Sequence, residues 1–376
     1  MSENTNTDTN TQNNKKKKRL TKVVFYIMAF LLSITTGLTI YMSVNMYKYT
    51  TKTDSAKDNT EDKPASSDTD VKEGYTLIKD EVLAELKDES YYMGRDNLLS
   101  SIRAMMEEGD STLKMLRTLY PNQLVYNEPD GFIFKDINKN LTMHKYDSKN
   151  FKIEVDDNDI PTKVEYYEND NLVSYKGIDV SKHNGTIDWK KVKADGVDFA
   201  ILRAVVRGYG SEGNLLPDDS FSKNAKEATA NGIAIGAYVF SEAITKEEAI
   251  EEADLILEMI KPYEVKYPVV IDIEDIFNDD GRNEALSPSE LTDIVLTFCN
   301  KIKDAGYTPM IYCNLKGFIG MLEFERLEGI EKWYAYYGDD LYFPYDVSMW
   351  QFTSSGEVNG VTGKVDLNIS FKNYNK

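Results

Sequence analysis

The chain has 376 residues, of which 41% are hydrophobic, and a formal net charge of −19 at pH 7. This length predicts two domains with additional segments, and the apolar content is sufficient for a sizeable core. So acidic a protein is repelled by phosphate backbones, which excludes nucleic acid as an expected partner. Two cysteines (Cys299, Cys313) and two histidines (His144, His183) show no metal-ligand spacing.

The first fifty residues predict a membrane anchor. Residues 1–22 form a polar tail with six basic residues, five of them in the block Lys15–Arg19. Residues 23–47 contain no charged residue, and about 20 apolar residues suffice to cross a bilayer. Because the basic block precedes this run, the positive-inside rule places the tail in the cytoplasm and the rest of the chain outside. The alternative is a cleaved signal peptide, which usually has a shorter apolar region.

Two further segments follow the predicted anchor. Residues 48–74 are rich in Asp, Lys, Ser, Thr and Asn, which predicts a flexible linker. Residues 75–174 predict a small α+β module, because apolar residues recur at helical spacing up to residue 120 and short apolar runs then alternate with turn residues. The pattern indicates no function for this module beyond that of a spacer or an interaction domain.

The pattern changes again in residues 175–376, where eight strand-like runs alternate with helical runs. One helix is predicted to begin at the capping box of Thr245 and Glu248, and another at Ser287, with Pro288 in its first turn. Strands that alternate with helices are typical of the α/β class. The segment therefore predicts a TIM-like (β/α) barrel, irregular at its end because the last strands have short connections.

Four acidic residues occupy strand positions at which an apolar residue is expected: Asp179, Asp272, Glu274 and Asp366. In such barrels, functional side chains lie at the carboxyl ends of the strands. Asp272 and Glu274 are two residues apart, so they share one face, repel each other and lose hydration, which favours protonation of one of them. A proton donor beside an anion is what sugar cleavage requires. Two alternatives to a catalytic role remain. The carboxylates could bind a divalent cation, or single acids could cap helices or turns.

Six segments of the predicted barrel carry a series of motifs that includes all four acids. In chain order they are Gly177–Trp189, Phe199–Ala204, Asp218–Ser241, Tyr267–Glu274, Pro309–Asn314 and Met349–Asn368. This series resembles glycoside hydrolase family 25, the lysozymes of the Chalaropsis and phage-endolysin type. Many members of that family have histidine after the tyrosine of the third strand, where this chain has Val239.

The resemblance implies roles for individual residues. Glu274 would be the general acid, and Asp272 would stabilise the oxocarbenium-like transition state or orient the 2-acetamido group of the substrate. Asp179 and Asp366 would shape the electrostatic field and bind substrate. The further residues implied to contact sugar are Tyr238, Trp350, Tyr312, Arg203 and Gln351. For the aromatic residues among them, packing within the barrel is the alternative.

The resemblance also implies a substrate, the β-1,4 bond between N-acetylmuramic acid and N-acetylglucosamine in peptidoglycan glycan strands, and no cofactor. A retaining outcome is favoured because the acetamido group lies beside the reacting carbon. With the predicted anchor, the chain would be a single-pass bacterial membrane protein whose muramidase domain faces the cell wall. The alternative is a non-catalytic peptidoglycan-binding or interaction protein on the same fold, against which the complete set of acids argues.

Overall fold

The structure, a computed structural model, describes residues 79–157, 160–275 and 281–375. The predicted membrane span (23–47) and the predicted linker (48–74) lie outside these ranges. Within the described ranges, no helix is long and apolar enough to cross a bilayer. The membrane anchor therefore stays a prediction from the sequence.

The chain divides into two compact units, residues 1–90 and 91–376. In the first unit the structure describes residues 79–90, which contain the beginning of helix α1 (Asp80–Glu107). The second unit contains the rest of α1 and every other described element.

The helical region predicted up to residue 120 contains two helices. Helix α1 is followed by Gly109, whose φ of 83° is a left-handed conformation that glycine adopts without strain. Helix α2 (Thr112–Leu119) begins at Ser111, whose hydroxyl accepts a hydrogen bond from the backbone N–H of Lys114. The break between the helices thus follows from one glycine and one N-cap residue.

The remainder of the module consists of five short strands, all paired antiparallel. They are β1 (Gln123–Glu128), β2 (Gly131–Asp136), β3 (Phe151–Val155), β4 (Pro161–Glu168) and β5 (Asn171–Leu172). The first two form a hairpin, and the other three form a separate sheet. These strands coincide with the short apolar runs of the sequence.

Eight strands of the described chain close a barrel, as predicted. They are β6 (Tyr175–Val180), β7 (Phe199–Arg207), β9 (Ala234–Phe240), β10 (Val265–Asp272), β11 (Pro309–Asn314), β12 (Glu331–Ala335), β13 (Met349–Gly356) and β14 (Val365–Ser370). The short β8 (Leu215–Pro217) pairs with the end of β7. The barrel is parallel apart from β14, which pairs antiparallel with both β13 and β6. The connection between β13 and β14 is too short for a parallel crossover, which explains this irregularity.

Helices alternate with the first barrel strands and pack outside them. They are α3 (Trp189–Ala194), α4 (Phe221–Ala230), α5 (Lys246–Ile260) and α6 (Pro288–Asp304). The N-caps of α5 and α6 are Thr245 and Ser287, the residues predicted for them. Inside the barrel, apolar side chains such as Phe199, Val270 and Trp333 form a second core. This inner core leaves the carboxyl ends of the strands free for polar residues.

The module packs directly against the barrel within the second unit. The rings of Tyr146 and Phe371 stack with their centroids 3.9 Å apart. Buried module residues such as Leu124 and Val164 belong to the same apolar cluster as the outer face of the barrel strands. Module and barrel therefore share one core.

Candidate active site

The four predicted acids come together at the carboxyl end of the barrel. Asp179 lies in β6, and Asp272 is the last residue of β10, with Glu274 two residues further on. Because β14 runs antiparallel, its beginning lies at the same end, and Asp366 is directly opposite Asp179 in the register. The charges of Asp366, Glu274 and Asp179 each raise the pKa of at least one other acid of the four, which shows that the group is close together.

Asp179 is buried, with 7% of its surface exposed. Its Oδ2 accepts hydrogen bonds from Nε2 of Gln351 at 2.9 Å and from Nδ2 of Asn368 at 2.8 Å. Burial, and next the charge of Asp366, raises the pKa of Asp179 well above its ordinary value, against the effect of the two hydrogen bonds. The two amides hold this carboxyl in one orientation.

Asp272 is also buried, but it is not fully hydrogen-bonded. Its Oδ1 has no hydrogen-bond partner among the residues that the structure describes. Burial, and then the charges of Glu274 and Asp179, raises the pKa of Asp272 well above the usual range, and Arg203 lowers it. A buried oxygen without a partner is costly in a folded protein, so Oδ1 of Asp272 is available to accept a hydrogen bond from a ligand.

Glu274 is the solvent-exposed acid of the four. The walls of a cleft with a volume of about 350 Å³ still shield its carboxyl from part of the solvent. This desolvation, followed by the charge of Asp366, raises the pKa of Glu274. Glu274 is therefore both accessible to a ligand and inclined to hold a proton.

Asp366 is partly buried, and burial raises its pKa to about 6. A carboxyl with this pKa carries a negative charge for most of the time at neutral pH. Its charge contributes to the raised pKa values of both Asp179 and Glu274. Asp366 thus acts on the other acids through the field that it produces.

Two predicted tyrosines face the acids. Tyr238 packs against the inner core of the barrel, and its pKa is raised by burial and then by the charges of Asp179 and Asp272. Tyr312 is paired in register with Asp272 and lines the cleft beside Glu274. Both rings are thus near the carboxyls.

Arg203 and Gln351 also lie at the acids, but both side chains are already engaged. Nε of Arg203 donates a hydrogen bond to Oδ2 of Asp218 at 2.8 Å. Gln351 is 2% exposed, and its Oε1 accepts hydrogen bonds from the hydroxyls of Tyr312 and Tyr337, both at 2.8 Å. Gln351 thus holds the Asp179 carboxyl through its Nε2, and its predicted contact with substrate stays a prediction.

The prediction that Trp350 stacks on a sugar is wrong. Its side chain is fully buried, its Nε1 donates to the backbone oxygen of Tyr336 at 2.7 Å, and its ring packs edge-on against Phe151 of the module. Side chains alternate along a strand, so the inward position of Gln351 requires Trp350 to face outward. The ring therefore stabilises the contact between module and barrel.

Two site residues were missed by the sequence analysis. Asn368 is fully buried, donates to Asp179, and accepts a hydrogen bond from Nε1 of Trp333 at 2.8 Å. The sequence could have indicated Asn368, because it lies two residues after Asp366 on the same strand and the two side chains therefore share a face. Tyr337 is 51% exposed at the cleft while its hydroxyl donates to Gln351. Nothing in the local sequence distinguishes it from its neighbours.

The arrangement has the parts of a glycoside hydrolase site: an accessible carboxyl with a raised pKa, a buried carboxyl beside it and aromatic walls. Within residues 79–157, 160–275 and 281–375, no group of three or more His, Cys, Asp or Glu side chains is placed to hold a metal ion. The class of protein that fold and site together define is a barrel-type glycoside hydrolase.

The comparison with known families agrees with this class. Residues 178–361 match the family described as Glycosyl hydrolases family 25. The barrel segment is therefore similar to this family, and the predicted enzyme class, a glycoside hydrolase, is confirmed. The matched segment contains three of the acids, Asp179, Asp272 and Glu274, and ends shortly before Asp366.

Individual relatives show similarity of limited extent. The uncharacterized protein YegX of Escherichia coli (strain K12) is 29% identical over 213 residues, which are 51% of this chain and 68% of YegX. Lysozyme M1 of Streptomyces globisporus is 42% identical over 66 residues, which cover 18% of this chain and 20% of that protein. The structure of the modular autolysin LytC from Streptococcus pneumoniae is 25% identical with a TM-score of 0.48 and covers 66% of this chain and 56% of that chain.

Proposed function

We propose that the chain is an N-acetylmuramidase, which hydrolyses the β-1,4 bond between N-acetylmuramic acid and N-acetylglucosamine in peptidoglycan. The observation that carries this proposal is the pair of Asp272 and Glu274, one carboxyl buried with an unpartnered oxygen and the other exposed in the cleft with a raised pKa. The match of residues 178–361 to family 25 and the similarity to lysozyme M1 support this class of substrate.

The proposed mechanism divides the work between these two carboxyls. Glu274 donates its proton to the glycosidic oxygen, and the bond from that oxygen to the anomeric carbon breaks. The acetamido oxygen of the substrate bonds to the anomeric carbon, while Asp272 orients this group and stabilises the developing positive charge. Glu274, now a carboxylate, accepts a proton from the water that opens the cyclic intermediate. Two displacements at one carbon retain its configuration.

The remaining groups keep these two carboxyls in the required states. The charge of Asp366 favours the protonated form of Glu274. Gln351 and Asn368 hold Asp179 in place, and the charge of Asp179 acts on Asp272. The site therefore biases Glu274 towards its protonated form through desolvation and like charges.

Product analysis tests the proposed bond specificity. Purified peptidoglycan is digested with the protein, the products are reduced with borohydride, and their ends are identified by mass spectrometry. A muramidase leaves N-acetylmuramic acid at the new reducing end, so muramitol is expected. Reduced glucosamine at the new ends, or no release above that of peptidoglycan incubated without protein, would contradict the proposal. NMR of the first-formed anomer tests retention.

Replacing Asp366 should shift the pH dependence of the reaction. In Asp366→Asn the negative charge that raises the pKa of Glu274 is gone, so Glu274 loses its proton at a lower pH. We expect the alkaline limb of kcat to move to lower pH. The measurement is kcat against pH on soluble glycan fragments. Asp304→Asn, at the end of α6, is the matched control. An unchanged limb would show that Asp366 does not act on Glu274.

We also propose that residues 23–47 anchor the protein in the cell membrane with the barrel on the wall side. The uncharged run and the basic residues before it support this topology. Protease added to intact protoplasts should remove the barrel and spare the N-terminal tail, whereas detergent should expose both. A soluble form without residues 1–47, recovered from the medium as the main species, would contradict the anchor.

A further inference from the structure

The β1–β2 hairpin of the module reaches the cleft that contains Glu274. Tyr126 of β1 lines this cleft together with Glu274 and Tyr312. Glu128, two residues further along β1, is the last residue before the turn of the hairpin. Both hairpin residues lie outside the segment 178–361 that matches the family, so this wall of the cleft comes from the module that precedes the matched segment.

A single lysine connects the hairpin to the segment that carries Glu274. Nζ of Lys316 donates to Oδ2 of Asp275 at 2.6 Å and to Oε2 of Glu128 at 3.0 Å. The side chain of Lys316 is 27% exposed, that of Asp275 is 24% exposed and that of Glu128 is 25% exposed. Ion pairs that are partly shielded from water interact more strongly than fully exposed ones. Because Asp275 is the next residue after Glu274, this bridge restrains the backbone at the general acid.

The barrel segment after Lys316 also contacts the hairpin. Lys316 precedes the helical turn Gly317–Met321. A Cβ atom on Gly320 would lie 2.7 Å from the hydroxyl oxygen of Tyr126, so the absence of a side chain at this position permits the close approach. The hairpin thus packs closely against the turn that begins next to the bridging lysine.

Helix α2 fixes the hairpin to a second part of the barrel. Nε of Arg117 donates to the backbone oxygen of Val125 at 3.0 Å, and its Nη1 donates to the hydroxyl of Tyr336 at 2.8 Å. The guanidinium lies 4.0 Å from the ring centroid of Tyr342, whose hydroxyl accepts a hydrogen bond from the N–H of Val125. Tyr336 lines the cleft, so the hairpin is attached to the cleft wall at two places.

We propose that Lys316 and Glu128 are positioning residues for Glu274, and that the module is in this way a part of the active site. The inference rests on the proposed function, which makes Glu274 the general acid. Lys316 holds Asp275, and the rigidly attached hairpin holds Lys316 through Glu128. Because these contacts fix the backbone next to Glu274, they keep its carboxyl oriented into the cleft. A displacement of about 1 Å in a catalytic group can cost on the order of 10²-fold in rate.

Substitutions in the full chain test this role. Lys316→Met removes the cation but keeps most of the side chain. Glu128→Gln removes the ion pair of Lys316 with the module and leaves that with Asp275 in place. We expect kcat on soluble glycan fragments to fall about tenfold in the first variant and roughly threefold or more in the second, with KM within about twofold of the wild-type value. Lys316→Arg should restore most of the activity, because it keeps the cation.

A matched control separates this role from a general loss of stability. Lys301 pairs with Asp254 at 2.8 Å between α5 and α6, and its side chain is 33% exposed. Lys301→Met therefore removes an ion pair of similar geometry on the outside of the barrel and should keep wild-type kcat and KM. A fall in kcat in this control as large as that in Lys316→Met would overturn the proposal.

Hydrogen exchange followed by mass spectrometry gives a measure that does not depend on catalysis. The amides of residues 273–275 should exchange faster in Lys316→Met and Glu128→Gln than in the wild type. If the wild-type chain cleaves no glycan while exchange rises in both variants, the bridge is supported and the proposed function fails. If the wild type cleaves glycan and both variants keep its kcat and its exchange, the inference fails. A raised KM with unchanged kcat also overturns it, because it assigns Lys316 to substrate binding.

Discussion

Glu274→Gln should abolish cleavage of peptidoglycan while leaving the fold and glycan binding intact. Glutamine has nearly the shape of glutamic acid but cannot donate a proton to a leaving oxygen. General acid catalysis is typically worth ~10²–10⁴-fold, so kcat should fall by at least about 10²-fold. Because the carboxyl is exposed at the cleft, the substitution removes no buried contact, and the melting temperature should stay close to the wild-type value.

The measurement combines kcat on soluble glycan fragments with circular dichroism and a binding assay on insoluble peptidoglycan. Glu258→Gln is the control, since Glu258 is an exposed glutamate on α5. It should keep wild-type activity. A well-folded Glu274→Gln protein with near-normal turnover would show that another residue is the general acid. Loss of folding would show instead that Glu274 supports the structure.

Asp272→Asn should lower kcat by on the order of 10²-fold or more, because it removes the negative charge beside the developing positive charge. It should also make the protein more stable at pH 7. The pKa of Asp272 in the folded protein is well above the value near 4 of an unfolded chain, because burial and neighbouring carboxyls disfavour its charged form. The folded state therefore binds more protons, and the free energy of unfolding falls as the pH rises through this range.

Asparagine cannot ionise, so Asp272→Asn does not show this pH-dependent fall in the free energy of unfolding. The melting temperature of Asp272→Asn should exceed that of the wild type at pH 7, and the difference should shrink as the pH falls to about 3, where the carboxyl is largely protonated in both the folded and the unfolded state. Asp304→Asn, a surface substitution of the same type, should change neither activity nor this pH dependence. A melting temperature of Asp272→Asn that is lower than that of the wild type at pH 7 would mean that the charged form of Asp272 is stabilised by the fold.

The sequence was sufficient to predict the barrel and its acids because both depend on local patterns. Strands of alternating or continuous apolar residues and capped helices such as the one beginning at Ser287 appear within short windows. Asp179, Asp272 and Asp366 stand out because each replaces an apolar residue in such a window. The pairing of Asp272 and Glu274 needed only the two-residue repeat of a strand.

The hydrogen-bonding partners of the acids could not be predicted in the same way. Asp179 bonds to side chains that are 172 and 189 residues further along the chain, in Gln351 and Asn368. The same limit explains the error at Trp350. The motif around this residue matched the family, but only the packing of the module against β13 shows that its ring is on the outer face.

By itself, the sequence predicted the enzyme class, the barrel with its four carboxyls, and a membrane anchor. The tertiary structure decided which side chains hydrogen-bond to Asp179 and which residues of the module contact the cleft. Lys316 and Glu128 are 188 residues apart and become neighbours only when the module packs on the closed barrel. The physical reason is that periodicity acts over a few residues and sets the type and face of an element, whereas contacts between elements depend on how the whole core packs.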